Sequence, residues 1–261
     1  MECNLVSAIK NYFNKEIIEI EKFKDKWHWD CLSQNSRLPW TWEFIDKYKD
    51  KWFWNEQFGL TSNSEINWTI EYIEKYKDQL NWRRLSYNNS LVWTIELVEK
   101  YIDRWDWETL SWYLFGVESI EIIETYIDRI DWVRLSLNDT IPLTVNFIEK
   151  FENNWNWENI SGNESIPWSF EILDQFKAKW DWGYLSGNKS LPWSLELIEK
   201  YQDKWDWEQL SYNKSLPWNL ELISKYENKW DWGYLSRNES LPWTIELIDK
   251  YHDKWHWWTL S

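Results

Sequence analysis

Glycine and proline are scarce in this chain, and cysteine and methionine are scarcer still. The 261 residues include six glycines, six prolines, two cysteines and one methionine. Average usage would give roughly eighteen glycines and thirteen prolines, so linker-rich and collagen-like chains are excluded. The two cysteines, Cys3 and Cys31, cannot build a disulfide framework, and free thiols are typical of a reducing compartment. We therefore expect a cytoplasmic protein.

Long apolar runs, a secretory leader and clusters of basic residues are also lacking. No segment approaches the roughly 18 apolar residues that a membrane span requires, and residues 1–13 lack the basic and apolar parts of a signal peptide. Acidic residues outnumber basic ones by 44 to 29, which gives a net charge of −15. Nucleic acids and anionic membranes are bound by clustered Lys and Arg side chains, so we expect neither as a partner.

Tryptophan is the residue in excess, and its spacing reveals an internal repeat. The chain has 28 tryptophans, and Trp-x-Trp pairs such as Trp205/Trp207 recur every 25 residues. Ten copies result, with one three-residue insertion between 54 and 60. All six prolines share one phase of the repeat, and three further phases hold 25 of the 28 tryptophans. The repeat does not explain the remaining tryptophans, which are therefore better candidates for contact with a partner: Trp42, Trp112 and Trp258.

The first part of each repeat predicts an amphipathic helix, here called helix A. In residues 191–205, apolar side chains recur at the spacing of one helical stripe, and charged side chains take the other side. Pro192 suits the start of the helix, and Ser194 is a suitable N-cap. The pattern predicts a helix of about 11 residues.

The second part of each repeat predicts a short helix B of one or two turns, either α or 3-10. Asp206 is a suitable N-cap, and Trp207 and Leu210 both face inward from such a helix. Asn213 tolerates the left-handed conformation that ends helices. Ser211 and the Asn213 side chain are nearby candidates to bond the indole N–H groups of buried tryptophans.

A strand is the alternative for this second part, because Trp205, Trp207 and Gln209 alternate along the chain. That alternative predicts an α/β horseshoe like those of leucine-rich repeats, in which the asparagines at the phase of Asn213 form a ladder.

A unit of 25 residues cannot bury its apolar stripe alone, whereas stacked copies bury it continuously. The expected fold is therefore all-α, a right-handed-type α-solenoid of ten repeats over residues 15–261, preceded by an N-terminal capping helix at residues 1–14. The motif DWxxLSxN, followed by LPW(S/T)xELIEKY, resembles the short tandem repeats of proteins without an assigned activity. The resemblance covers residues 15–261. It implies an α-solenoid and carries no activity, cofactor or partner.

Catalytic, metal and cofactor sites are not expected. Three histidines and two cysteines offer little for catalysis or metal binding, and His28 and His256 lie in the first and last copies. The many carboxylates recur by repeat phase, which is typical of solvated helix faces. We therefore expect a protein that is not an enzyme and holds no cofactor or metal.

Variation between copies indicates which residues contact a partner. The residues that follow the second tryptophan and the serine of helix B differ from copy to copy, and aromatic and Arg side chains there have the character of interface anchors. Residues 111–118 depart most from the repeat, which predicts either a local bend or an apolar surface for a partner. The candidate partner-binding residues are Tyr87, Trp112, Tyr113, Phe115, Leu137, Tyr212 and Arg237.

Three functions follow from this pattern. The leading hypothesis is a non-enzymatic scaffold that binds a protein or peptide, with a basic partner favoured by the acidic charge. The second is an acidic inhibitor or decoy, such as an immunity-type protein or a nucleic-acid mimic, whose affinity falls steeply with salt. The third is head-to-tail self-assembly, because no distinct polar cap follows the last helix-B motif.

Overall fold

The computed structural model describes residues 21–55, 59–114 and 118–260. The capping helix expected at residues 1–14 lies outside these residues. Each described repeat contains an A helix of six or seven residues. The A helices are Trp42–Lys47, Ile70–Tyr76, Ile95–Lys100, Ser119–Thr125, Val145–Lys150, Phe170–Gln175, Leu195–Lys200, Leu220–Lys225 and Ile245–Lys250.

The second part of each repeat is a B helix, and the described residues contain no strand. The all-α prediction is therefore confirmed, and the strand alternative is wrong. After the three-residue insertion, a 3-10 helix, Leu60–Ser62, replaces the α-helix. The other B helices are Trp29–Ser33, Trp82–Leu85, Trp107–Tyr113, Trp132–Ser136, Trp157–Ser161, Trp182–Gly187, Trp207–Tyr212, Trp232–Leu235 and Trp257–Leu260.

Polar caps start both kinds of helix, as the sequence predicts. The Ser194 side chain accepts a hydrogen bond from the Leu197 N–H, and the Asp206 carboxylate accepts from the Gln209 N–H at 3.1 Å. The A helix is shorter than expected, however, because turns replace it after about six residues. These turns allow the Trp205 indole to fold back and donate to the Ile198 carbonyl.

The chain divides into two compact units, Met1–Ile130 and Asp131–Ser261, here called the N-terminal and C-terminal units. In the C-terminal unit successive B helices are in contact from Trp132–Ser136 to Trp232–Leu235, as Trp182–Gly187 is with Trp207–Tyr212. This serial contact between like elements is that of an α-solenoid. No described helix is long and apolar enough to cross a membrane.

Aromatic side chains pack each repeat against the next. The Trp182 ring lies 4.9 Å from the Tyr201 ring and 4.9 Å, edge-on, from the Trp205 ring of the following repeat. The Trp193 ring contacts Trp205 from the other side, at 5.1 Å. Edge-to-face packing of this kind adds stability beyond area burial. The tryptophan that precedes helix B is therefore part of the scaffold, and Trp205 is 5% exposed.

Most indole N–H groups of the described residues bond to backbone carbonyls, and not to the Ser211 or Asn213 side chains that the sequence suggests. Trp193 donates to the Asn188 carbonyl at 2.9 Å, and Trp207 donates to the Gln202 carbonyl at 3.1 Å. These acceptors are free because the short helices and turns leave carbonyls without partners in the helix.

The serine of helix B instead connects successive repeats. Ser186 is fully buried, and its hydroxyl donates to the Trp182 carbonyl at 2.6 Å. The same oxygen accepts from the backbone N–H of Asp206, in the next repeat, at 2.9 Å. One hydroxyl therefore satisfies the end of one B helix and positions the start of the next.

A ladder of buried asparagines runs beside these serines. The Asn188 side chain donates to the Ser161 carbonyl at 3.1 Å and the Asn163 carbonyl at 3.3 Å, and accepts from the Ser190 N–H at 2.9 Å. Asn213 has an extended backbone, with φ −68° and ψ 116°, so the left-handed conformation expected for it is wrong. The asparagine ladder of the strand alternative is present, although it connects helical repeats.

Carboxylates on the A helices pair with the next repeat. In the N-terminal unit, the Tyr101 phenol donates to Glu74 at 2.6 Å, and Lys100 lies 3.2 Å from the same carboxylate. Hydrogen bonds from Lys77, Tyr101 and Lys100 lower the pKa of Glu74 to about 2. Burial and the bond to Glu74 raise the pKa of the Tyr101 phenol, which stays neutral.

The lowered pKa of Glu74 gives a pH-dependent contribution to stability. A carboxylate with a depressed pKa stabilises the fold above its unfolded-state pKa, and this stabilisation is lost as pH falls through the folded-state value. We expect the difference in urea midpoint between the wild type and Glu74→Gln to be constant at neutral pH and to shrink from the ordinary value of 4.5 down to about 2. Glu96→Gln removes one charge without breaking this contact and is the control. A difference that persists at the lowest pH contradicts the expectation.

Candidate functional site

The outward side of the B helices carries the side chains that vary between copies. In Trp207–Tyr212, Leu210 and Ser211 are fully buried, so the other residues of the short helix are displaced toward solvent. We call the exposed residues that follow the second tryptophan and the serine of each B helix the B-helix face. In the C-terminal unit it exposes the large apolar side chains Val133 at 52%, Leu137 at 42%, Tyr184 at 48% and Tyr212 at 57%.

Three of the candidate partner-binding residues, Leu137, Tyr212 and Arg237, are exposed on this face. The Tyr212 ring lies 6.0 Å from the Tyr234 ring, and the Arg237 guanidinium lies 5.4 Å from the Trp258 ring. These contacts with neighbouring rings restrict the exposed side chains before a partner binds, so less conformational entropy is lost on binding.

Three candidates come together in the N-terminal unit. The Tyr113 ring lies 5.7 Å from Tyr87 and 6.0 Å from Trp112, the latter nearly parallel to it. Trp112 is 39% exposed and Tyr113 is 44% exposed, whereas Tyr87 is half-buried. Tyr113 occupies the ladder phase, where other repeats carry asparagine, so the irregular repeat turns an aromatic ring outward. Phe115 lies outside the described residues.

Trp42 belongs to the scaffold, although it lies outside the three tryptophan phases. It is half-buried and stacks on the Tyr72 ring at 3.5 Å, and its indole donates to the Asn67 carbonyl. The first residue of most A helices is apolar, and the Trp42 ring is covered by the A helix of the next repeat. Trp42 is the one tryptophan at this repeat phase, so a count of tryptophans by phase does not reveal that it belongs to the scaffold.

Glycines open a groove in the B-helix face of the C-terminal unit, which the sequence analysis missed. The groove has a volume of about 480 Å³. Gly162 and Gly187 lie at the phase of Tyr212, and Gly183 lies at the phase of Glu208. Three positions that carry side chains in other repeats are therefore empty here. The scarcity of glycine, with three of six in this groove, was the signal that could have revealed it.

Carboxylates and one aromatic ring surround the groove. Glu164, Asp181 and Asp206 line it together with Tyr184. The neighbouring Glu158 carboxylate raises the pKa of the Tyr184 phenol. Asp181 and Asp206 approach the same point, since a Cβ at Gly183 would lie 3.2 Å and 4.0 Å from their oxygens.

The groove carboxylates lack basic partners. Within the described ranges, no Lys or Arg nitrogen lies within 4.0 Å of Glu164, Asp181 or Asp206. Lys189, which follows the groove residue Asn188 in sequence, is exposed and does not line the groove. The groove therefore has a negative potential.

The structure gives no candidate metal centre among the described residues, where no group of three or more His, Cys, Asp or Glu side chains could hold a metal ion.

Comparison with known proteins adds no function. No family model, curated protein or solved structure matches this chain.

Proposed function

We propose that this chain is a non-enzymatic cytoplasmic scaffold of tandem α-solenoid repeats that binds a basic protein or peptide through its B-helix face. The observation that supports it most is that repeated positions and varying positions differ in their surroundings. The repeated tryptophans, serines and asparagines are taken up by contacts within and between repeats. The positions that vary present large apolar side chains to solvent.

The exposed aromatics suit this function. Tyrosine, tryptophan and arginine carry most of the binding energy at protein interfaces, and Tyr212, Trp112 and Tyr113 are all more than one third exposed. The acidic groove beside Tyr184 adds charge complementarity to a basic partner.

The decoy hypothesis has less support, because many carboxylates are occupied within the scaffold. Asp174 accepts hydrogen bonds from both Lys200 and Tyr201, and Glu199 lies 3.0 Å from Lys225. A mimic of nucleic acid requires an open array of charge, whereas these carboxylates hold repeats together.

A selection from a random-peptide display library tests the proposal. We expect the enriched peptides to contain Lys or Arg beside apolar residues. We expect the triple variant Leu137→Ser, Tyr184→Ser and Tyr212→Ser to bind them at least about tenfold more weakly, because it removes three exposed anchors. Titration by fluorescence anisotropy measures this loss.

Ile245→Ser is the matched control, since Ile245 is 77% exposed but lies on an A helix. An equal loss in the control, or no loss in the triple variant, contradicts the proposal. Peptides that depend only on charge, with steep salt dependence and no effect of the triple variant, would favour the decoy hypothesis instead.

A further inference from the structure

The glycine groove has the dimensions and chemistry of a site for one long cationic side chain. Its volume of about 480 Å³ lies in the range of small-ligand sites, which is roughly 300–1,000 Å³. Three glycines line it, so a bound group can approach the main chain closely there. A Cβ on Gly187 would lie 3.7 Å from the Gln209 amide oxygen, which is ordinary contact, so a side chain at this position fits without displacing its neighbours.

The surrounding groups select a cation with an apolar stem. The Tyr184 ring offers an aromatic wall, and three carboxylates without basic partners stand around the same space. Lysine and arginine carry a charged head on an aliphatic stem, and both pair with carboxylates and stack on aromatic faces. The scaffold itself uses such contacts, since the Lys204 nitrogen lies 5.4 Å from the Trp182 ring.

We infer that this groove is a binding site for an arginine or lysine side chain of a peptide partner, with the charged head between Asp181 and Asp206 and the stem against Tyr184. The inference rests on the proposed function, because it names the side chain that the B-helix face receives. All residues of the proposed site lie within the C-terminal unit.

Selective ¹⁵N-glycine labelling tests the site directly, because the chain has only six glycines. The probe is the end-blocked tripeptide Gly-Arg-Gly, and its citrulline analogue is the neutral control. We expect Arg-dependent, saturable shifts of the amide signals of Gly162, Gly183 and Gly187, with the Gly59 and Gly233 signals unchanged. No shift at the three groove glycines, or equal shifts with citrulline, overturns the inference.

Variants that preserve the fold test the charges. The variant Glu164→Gln, Asp181→Asn and Asp206→Asn keeps both helix caps, because Asn156 caps a B helix in the same way. We expect it to weaken tripeptide binding by roughly tenfold, as the loss of three exposed ion pairs implies. The control Asp231→Asn, Glu196→Gln and Glu246→Gln removes three charges elsewhere in the unit. Equal weakening by both variants overturns the inference.

A variant that fills the groove with a side chain gives a second, independent test of the site. Gly187→Tyr fills the groove with a residue that Tyr212 shows to be compatible with this phase, and we expect it to abolish the shifts of Gly162 and Gly183. Gln34→Tyr places a tyrosine at the same phase of another repeat, at an exposed residue outside the groove, and is the control. Unchanged shifts in Gly187→Tyr contradict the site. If the wild-type chain shows no tripeptide shifts at the groove glycines and still binds display-selected peptides, this inference is overturned and the proposed function stands.

Discussion

Replacing Trp205 with alanine is expected to lower the free energy of unfolding of the C-terminal unit by about 4 kcal/mol, the range for a large aromatic removed from a core. Trp205 is 5% exposed, and its ring contacts Trp182, Trp193 and Tyr201. The variant also leaves the Ile198 carbonyl without its indole donor. Urea denaturation followed by circular dichroism measures the loss.

Trp258→Ala is the control, because Trp258 is 73% exposed. We expect a change within about 0.5 kcal/mol, as for most surface substitutions. Similar losses in the two variants would contradict the division between scaffold tryptophans and exposed ones.

Replacing Asn188 with alanine is expected to lower the free energy of unfolding by about 3 kcal/mol, because three hydrogen bonds at a site closed to water are lost together. Asn188 is 3% exposed, donates to two carbonyls of the preceding repeat and accepts from the Ser190 N–H. Amide hydrogen exchange at Ser190 is expected to accelerate along with the loss of stability.

Asn35 provides the matched control, since it occupies the same phase but is exposed, and its side chain accepts from the Arg37 N–H. We expect Asn35→Ala to cost less than about 1 kcal/mol. If the two asparagines prove equivalent, the ladder is not a source of stability and other contacts between repeats hold the stack together.

Periodicity was enough to predict the repeat, the all-α fold and the caps. The 25-residue period places Ser194 and Asp206 directly before apolar runs, and short polar side chains at such positions start helices. The burial of Leu210 and Ser211 follows from the same period, since both recur in nearly every copy. Local rules and the global fold agree at these positions.

Contacts between repeats were beyond what the sequence predicts. The role of Asn188 depends on carbonyls 25 and 27 residues earlier, which come within reach only after stacking. A propensity argument for asparagine therefore suggested a left-handed helix end, and the structure shows a buried ladder. Trp42 was misjudged for the same reason, because the Tyr72 ring that covers it belongs to the next repeat.

The candidate surface was only partly predictable. Variation between copies singled out Tyr212, Leu137 and Arg237, which are exposed in the structure; their contact with a partner stays a prediction. The groove was not predicted, because it arises where Gly183 and Gly187 have no side chain. Sequence patterns of apolar and charged residues indicate only where side chains are present. Its shape depends on how neighbouring B helices approach, which repeat phase alone does not determine.

The central claim is that the aromatic repeat builds the scaffold and the B-helix face binds the partner. Hydrogen–deuterium exchange of the chain, with and without a saturating display-selected basic peptide, tests it most directly. The account predicts slower exchange in the B helices Trp182–Gly187 and Trp207–Tyr212, with unchanged exchange in the A helices Leu195–Lys200 and Leu220–Lys225. Protection of the A helices with unaltered exchange in the B helices would contradict it.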